Sequence, residues 1–104
     1  SLTGVHGTAA NNVWMTSDSL TTAFRWNGTT LDTITTPARG GLLGVYATPT
    51  RTVLISDSGE ITHGLPGSFT RSAISPNAFY TTFGLSADQL WVAGDNSEIL
   101  SWRP

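Results

Sequence analysis

The sequence predicts an all-β chain, and its composition, its turn content and the absence of helical spacing lead to this fold class. Among 104 residues, Thr occurs 17 times, Ser 11 times and Gly 11 times. Thr favours strands because its branched Cβ is stiff and packs well on a pleated surface, and Gly supplies turns. No stretch of a dozen residues carries apolar side chains at the 3.6-residue spacing of an amphipathic helix.

Composition also limits the classes of function. The chain is 38% apolar and 12% charged, which indicates a single globular domain over residues 1–104. It contains no Cys, so neither disulfides nor thiolate chemistry is expected. There is no Lys, the five Arg are scattered and the net charge is −2, which argues against a nucleic-acid partner because phosphate binding needs clustered cations. No apolar run approaches the roughly 20 residues of a membrane helix, so membrane insertion is not expected.

A repeat of about 40 residues runs along the chain. The strings VWMTSD (13–18) and LWVAGD (90–95) are nearly alike, and VLISD (53–57) is the diverged middle copy. The segments LTGVH, LLGVY and FYTTF precede them and start at residues 2, 42 and 79, which are 40 and 37 residues apart. The segments that follow align in the same way: AFRW (23–26), ITHG (61–64) and ILSW (99–102), then NGTTLDTITTP (27–37) with PGSFTRSAISP (66–76).

Each repeat predicts four short strands joined by turns. The pair Asn27-Gly28 suits a tight hairpin, because such hairpins need a positive φ. A four-stranded antiparallel unit of about 40 residues, repeated in tandem, is typical of a β-propeller blade. We therefore expect one β-propeller domain with blades at 2–41, 42–78 and 79–104. The last blade lacks its fourth strand, so the chain holds about 2.75 blades.

The string VHGTAANNVWMTSD…RWNGTT (5–30) resembles blades of a bacterial β-propeller repeat family that read VWAVGD…ILxWNG. That family is similar to photosystem-assembly and Asp-box propellers and occurs in large surface proteins of myxobacteria and their relatives. The likeness covers essentially the whole chain in three copies, and it implies the blade fold without implying an activity. The chain departs from the pattern at Leu31, where a Trp is expected, and at Val53 and Gly64, which replace both Trp of the middle copy.

An arc of fewer than four blades leaves two sheet faces uncovered, and we expect both to be apolar. The residues predicted on them are Val5, Trp14, Leu90, Trp91 and Ile99. Exposed apolar patches of more than a few hundred Å² usually mark interfaces. Two hypotheses remain open: two chains close head to tail into a six-bladed ring, or the remaining blades of a parent propeller complete the arc.

Residues that recur at one blade position are interpreted as structural. Asp18, Asp57 and Asp95 follow the second strand of each blade and are expected to accept backbone N–H groups at the turn. A carboxylate ring that binds a cation is the less favoured alternative, because structural devices are what repeat in every blade. The Trp residues are expected to pack between blades rather than to stack on sugars: Trp14, Trp26, Trp91 and Trp102.

The ligand-binding candidates are residues at which the copies differ. Arg39 lies in the loop between the first two blades, and Tyr46 and Tyr80 lie on or beside inner strands. No catalytic constellation is predicted, since neither a G-x-S-x-G string nor a Ser/His/Asp pattern is present. His6 and His63 occupy non-equivalent positions without further ligands nearby in sequence, so neither a metal nor a cofactor is expected.

The sequence therefore predicts a non-enzymatic binding or scaffold module that presents loops for protein or cell-surface recognition. The alternative is a glycan-binding lectin that closes its propeller by oligomerisation, because aromatic rings and hydroxyl-rich walls suit sugars. The expected partners are a second copy of the chain or the other blades of a parent propeller, with a protein or glycan as ligand. The Thr-rich, Lys-free composition and the resemblance predict an extracellular or cell-surface protein of bacterial origin.

Overall fold

The computed structural model describes residues 2–86 and 89–103, which form three antiparallel sheets. Residues 1, 87, 88 and 104, which the predicted domain includes, lie outside the described residues. In the described part no helix is long and apolar enough to cross a bilayer. The all-β prediction is confirmed, while these three sheets form no closed barrel or propeller.

Each sheet is a meander in which strand order follows chain order. Sheet 1 contains β1 (Leu2–Ala9), β2 (Asn12–Ser17), β3 (Ala23–Trp26) and β4 (Leu31–Ile34). Sheet 2 contains β5 (Leu42–Ala47), β6 (Thr52–Ser56), β7 (Glu60–Gly64) and β8 (Thr70–Ala73). Sheet 3 contains β9 (Phe79–Ser86), β10 (Gln89–Gly94) and β11 (Ile99–Trp102), with a 3-10 turn at Asp95–Ser97 before β11.

The first two strands pair in the same register in all three sheets. The residue opposite the first position of each WMTSD-like string is always the fifth residue of the LTGVH-like string. The pairs are His6 with Trp14, Tyr46 with Val53, and Phe83 with Trp91. The second and third strands also pair in one register. Arg25 lies opposite Trp14, His63 opposite Val53 and Ser101 opposite Trp91. Positions that the sequence repeat equates are therefore equivalent in the sheets.

The fourth strand departs from the sequence repeat by one residue. Matching Gly28 to Gly67 equates Asp32 with Arg71, but β3 and β4 pair Phe24 with Thr33 where β7 and β8 pair Thr62 with Arg71. Both glycines have positive φ. Counted from equivalent positions of the third strand, however, one more residue precedes the glycine in the β7–β8 hairpin than in the β3–β4 hairpin, and one fewer separates the glycine from the fourth-strand residue that pairs with that position. The predicted alignment of the fourth strand is wrong, because the glycine shows where the chain turns but does not fix the register in which the fourth strand pairs with the third.

Sheet 2 is the centre of the molecule because it is covered on both faces. All five residues of β6 are buried, and they alternate between two apolar clusters. Leu54 lies in the cluster with sheet 1, whereas Val53 and Ile55 lie in the cluster with sheet 3. In sheets 1 and 2, we call the face that is turned toward the following sheet in chain order the forward face, and the opposite face the backward face. In sheet 3 the backward face is the one packed on sheet 2, and the forward face is the exposed one.

The first strands of the three sheets lie next to one another, with β1 against β5 and β5 against β9. Hydrogen bonds join neighbouring sheets at this edge, since Leu42 N donates to Leu20 O at 3.1 Å and Thr3 Oγ1 donates to Leu42 O at 2.8 Å. The backbone N–H of each of two turn aspartates binds the segment that enters its own sheet: Asp57 N donates to Gly41 O and Asp95 N to Ala78 O, both at 3.0 Å.

The structure corrects the prediction of which apolar residues are uncovered. Val5, Trp91 and Ile99 are exposed, as expected for the two end faces. Trp14 and Leu90 are buried, at 2% and 0% exposure, because Trp14 faces sheet 2 from sheet 1 and Leu90 faces sheet 2 from sheet 3. Leu90 and Trp91 are neighbours in a strand and point to opposite faces, so they could not share one uncovered face.

Candidate binding site

A groove runs across the three first strands and is lined by the same three positions of each. The groove encloses about 180 Å³. Its lining is residues 3–5 of β1, 43–45 of β5 and 80–82 of β9, which the pairing registers make equivalent. Sequence reasoning did not identify this groove as a unit, because it exists only once three distant segments lie side by side.

Close approach of the first strands depends on glycine. A Cβ on Gly4 would lie 3.1 Å from the Cα of Gly44 and 3.0 Å from Thr16 Oγ1, which is tighter than ordinary contact. The third copy has Thr81 at this position, and its side chain is exposed. At this lining position two of the three copies carry glycine, so the flanking side chains determine what the groove presents there.

Tyr80 is the predicted ligand candidate that the structure places in the groove. Its side chain is exposed. Hydrogen bonding to Asp95, together with the negative charge of that carboxylate, raises the pKa of Tyr80 above its ordinary 10.0. The backbone N of Asp95 donates to Ala78 O at 3.0 Å, so the carboxylate that acts on Tyr80 belongs to the turn that precedes β11.

Tyr46 lies between sheets instead of lining the groove. Its ring stacks on His6, with centroids 4.8 Å apart and planes 29° apart. The Tyr46 ring also covers Gly84, where a Cβ would overlap the ring. His6 Nδ1 also accepts a hydrogen bond from Ala47 N at 2.8 Å, so this ring pair joins sheets 1 and 2. Tyr46 is the counterpart of His6 and Phe83, which makes it part of a repeated aromatic position.

Arg39, the third predicted candidate, is exposed in the segment between β4 and β5. Its backbone N donates to Glu60 Oε1 at 3.0 Å. Neither Arg39 nor Tyr46 contributes to the lining of the groove that contains Tyr80. The structure therefore does not bring the three candidates together in that groove.

Glu60 is a buried carboxylate that the sequence reasoning missed. It accepts hydrogen bonds from Arg39 N and Ser58 Oγ, each at 3.0 Å, and pairs with Arg71 Nε at 3.2 Å. Its counterpart Glu98 accepts a hydrogen bond from Ser75 Oγ. The available signal was the shared spacing of DSGE (57–60) and DNSE (95–98), which by itself indicates at most a weak calcium loop. These carboxylates instead hold the segments that cross between sheets.

The other predicted residues occupy the repeated positions in the structure. Asp18, Asp57 and Asp95 are exposed and directly follow β2, β6 and β10. Two of the four Trp are buried between sheets and two are exposed at the ends of the molecule: Trp14 is 2%, Trp102 8%, Trp26 38% and Trp91 44% exposed. Within residues 2–86 and 89–103, no group of three or more His, Cys, Asp or Glu side chains could hold a metal ion.

His63 lies at the interface of sheets 2 and 3, where its ring meets Trp102 edge-on with centroids 4.8 Å apart. Burial lowers the pKa of His63 below its ordinary 6.5, and the positive charge of Arg51 lowers it further. As the pH falls, His63 is therefore protonated in the unfolded chain at a higher pH than in the folded chain. Stability from the neutral imidazole is complete above about pH 6.5 and is lost as the pH falls through the lower folded pKa.

We expect the urea midpoint of the chain to fall between about pH 7.5 and about pH 5.5, and we expect His63→Gln to reduce that fall. The substitution removes the titrating group and keeps a polar side chain of similar length. Urea titrations of both proteins at the two pH values measure the difference. An equal fall in both proteins would show that other groups cause it.

Comparison with known proteins found no match for this chain. No protein-family model, no curated protein and no solved structure matches it. Function is therefore inferred from the groove, the buried clusters and the exposed faces described above.

Proposed function

We propose that the three sheets are blades of a β-propeller and that the chain is a non-enzymatic binding module for protein or cell-surface recognition. Three observations support the propeller: each sheet is a meander, the first three strands share one register, and the first strands lie side by side. Face-to-face packing of successive sheets is how propeller blades bury their apolar residues. An extracellular or cell-surface location, implied by the family resemblance, belongs to this proposal.

The groove of the first strands carries the proposal of binding. Its frame is repeated, but the first lining position differs in every copy, with Thr3, Leu43 and Tyr80. A constant frame with variable side chains is suited to recognition. Its volume of about 180 Å³ is below the 300–1,000 Å³ of pockets for drug-sized ligands, so it suits one peptide side chain or one sugar ring. Tyr80 supplies the large rigid surface that such a contact needs.

Selection from a phage-displayed peptide library tests the proposal directly. We expect the immobilised chain to enrich peptides whose binding Tyr80→Ala weakens at least about tenfold, because the ring supplies the main apolar contact. Ile74→Ala is the matched control, since Ile74 is also exposed and apolar but lies outside the groove lining. Peptides that bind both variants as well as the parent would show that the groove is not the binding site.

A glycan is the second candidate ligand. The observation that favours it is that the exposed residues Tyr80 and Thr81 both contribute to the lining of the groove, since an aromatic ring together with hydroxyl groups suits a sugar. A glycan array separates the two candidates. Sugars retained by the parent chain and lost with Tyr80→Ala would make the chain a lectin, and peptide enrichment without array signals favours protein recognition.

A further inference from the structure

The two end faces of the molecule are apolar and exposed. On the forward face of sheet 3, the exposed large side chains are Phe83, Trp91 and Ile99, which lie beside one another on β9, β10 and β11. Trp91 points away from sheet 2 because its neighbours Leu90 and Val92 are buried against sheet 2. On the backward face of sheet 1, Val5, Met15 and Phe24 form a cross-strand row.

Each end face occupies positions that are buried elsewhere in the same molecule. Leu2 of sheet 1 is 69% exposed, whereas its counterparts Leu42 and Phe79 are both 0% exposed in the clusters between sheets. The exposed face of sheet 3 thus corresponds to the forward faces of sheets 1 and 2, each of which is covered by the sheet that follows it. The exposed face of sheet 1 is the unused counterpart of backward faces that are covered in sheets 2 and 3.

Tryptophan shows the same relation. Exposed Trp91 is the counterpart of Trp14, which is buried between sheets 1 and 2. Exposed Trp26 is the counterpart of Trp102, which is buried between sheets 2 and 3. Each end of the molecule therefore carries one half of an inter-sheet contact that the interior contains in complete form.

We propose that a second copy of this chain covers both end faces, with the forward face of sheet 3 in one copy packed on the backward face of sheet 1 in the other. This rests on the proposed blade architecture and not on the ligand groove. Two copies of three sheets make six, which lies within the four to eight blades of closed propellers, whereas three copies would exceed that range. A head-to-tail contact closes into a ring when its rotation permits, and the two contacts are then identical.

In the part of the chain that the structure describes, no charged side chain occupies the paired strand positions of the two faces. Among the described residues, the paired strand positions that share the exposed face of sheet 3 are Thr81, Phe83, Gln89, Trp91, Ala93, Ile99 and Ser101. Those that share the central rows of the exposed face of sheet 1 are Val5, Gly7, Val13, Met15, Phe24, Trp26, Leu31 and Thr33. None of these side chains is charged, so burying them against one another desolvates no ion.

Light scattering after size exclusion tests the proposal on the 104-residue chain with two face variants. The parent chain is expected at about 22 kDa, twice its 11.0 kDa mass. Val5→Lys and Trp91→Glu are each expected at 11.0 kDa, because each places a charge in both contacts of the ring. An equimolar mixture of the two variants is expected to return to about 22 kDa, since one contact is then unaltered and the other joins Lys to Glu.

Leu65→Lys is the control, because Leu65 is exposed and apolar but lies in the β7–β8 hairpin, away from both end faces. It should remain dimeric. Circular dichroism establishes that each variant is folded, and recovery of the dimer in the mixture shows independently that both variants can fold. A monomeric parent chain overturns the proposal, and if it still binds Tyr80-dependent peptides the proposed function stands. A dimer that the mixture fails to restore overturns the head-to-tail arrangement.

Discussion

Leu54→Ala is expected to lower the free energy of unfolding by about 2–5 kcal/mol, the range measured for large-to-small changes in packed cores. Leu54 is 0% exposed and lies in the cluster that joins sheets 1 and 2, together with Trp14 and Val45. The cavity would remain because sheet 2 is packed on both faces and cannot move toward one neighbour without leaving the other. Urea denaturation at matched protein concentration measures the loss.

Leu65→Ala is the matched control, since it makes the same chemical change in the loop that joins β7 and β8 of the same sheet, at a side chain that is 46% exposed. We expect its effect to stay below about 1 kcal/mol, as for surface positions in general. Similar losses for the two variants would contradict the assignment of Leu54 to a packed interface between sheets.

Gly59→Ala is expected to cost more than about 3 kcal/mol, because it adds a steric overlap to an unfavourable backbone conformation. Gly59 has φ +74°, and a Cβ there would overlap the carbonyl oxygen of Ser75. Its own carbonyl accepts hydrogen bonds from Ile74 N at 3.0 Å and Ser75 N at 3.2 Å. The substitution would therefore push away the segment that crosses from sheet 2 to sheet 3. Thermal denaturation measures the effect.

Gly67→Ala separates the two causes. Gly67 has φ +87°, but no atom beyond its two chain neighbours lies within 4 Å of the place that a Cβ would occupy, so only the left-handed backbone conformation is penalised, at about 1–2 kcal/mol. The difference between the two variants reports the close approach of the crossing segment. Equal effects would mean that this segment is not held against Gly59 as the structure shows.

The repeat predicted much of the local structure because strand pairing depends on alternation and turn chemistry, which the residues carry themselves. The positions equated in the first three strands pair identically, from His6 with Trp14 to Phe83 with Trp91. The fourth strand was misaligned because Gly28 was matched to Gly67, while the numbers of residues between each glycine and the equivalent strand positions on either side of it differ. A single-residue shift is invisible in a short strand rich in Thr and Ser, which has no clear apolar face.

The candidate site was harder to predict. Tyr46 and Tyr80 both lie in first strands, and only the packing of neighbouring sheets places one against the His6 ring and the other in the groove. Glu60 carried a spacing signal, but its partners Arg39 and Arg71 lie in segments on either side of it. Which carboxylate is buried depends on how the crossing segment folds back, which the local sequence does not encode.

The all-β class, the three meanders and the equivalent positions of the first three strands follow from the sequence alone, because they depend on propensity and pattern within each repeat. Which copy of each repeated residue is buried depends on the packing of the sheets against one another. Trp14 and Trp91 occupy the same position in their strands, yet one is covered by sheet 2 and the other is exposed. Burial is a property of the sheet that lies opposite, so residues with the same local pattern differ wherever that neighbouring sheet is absent.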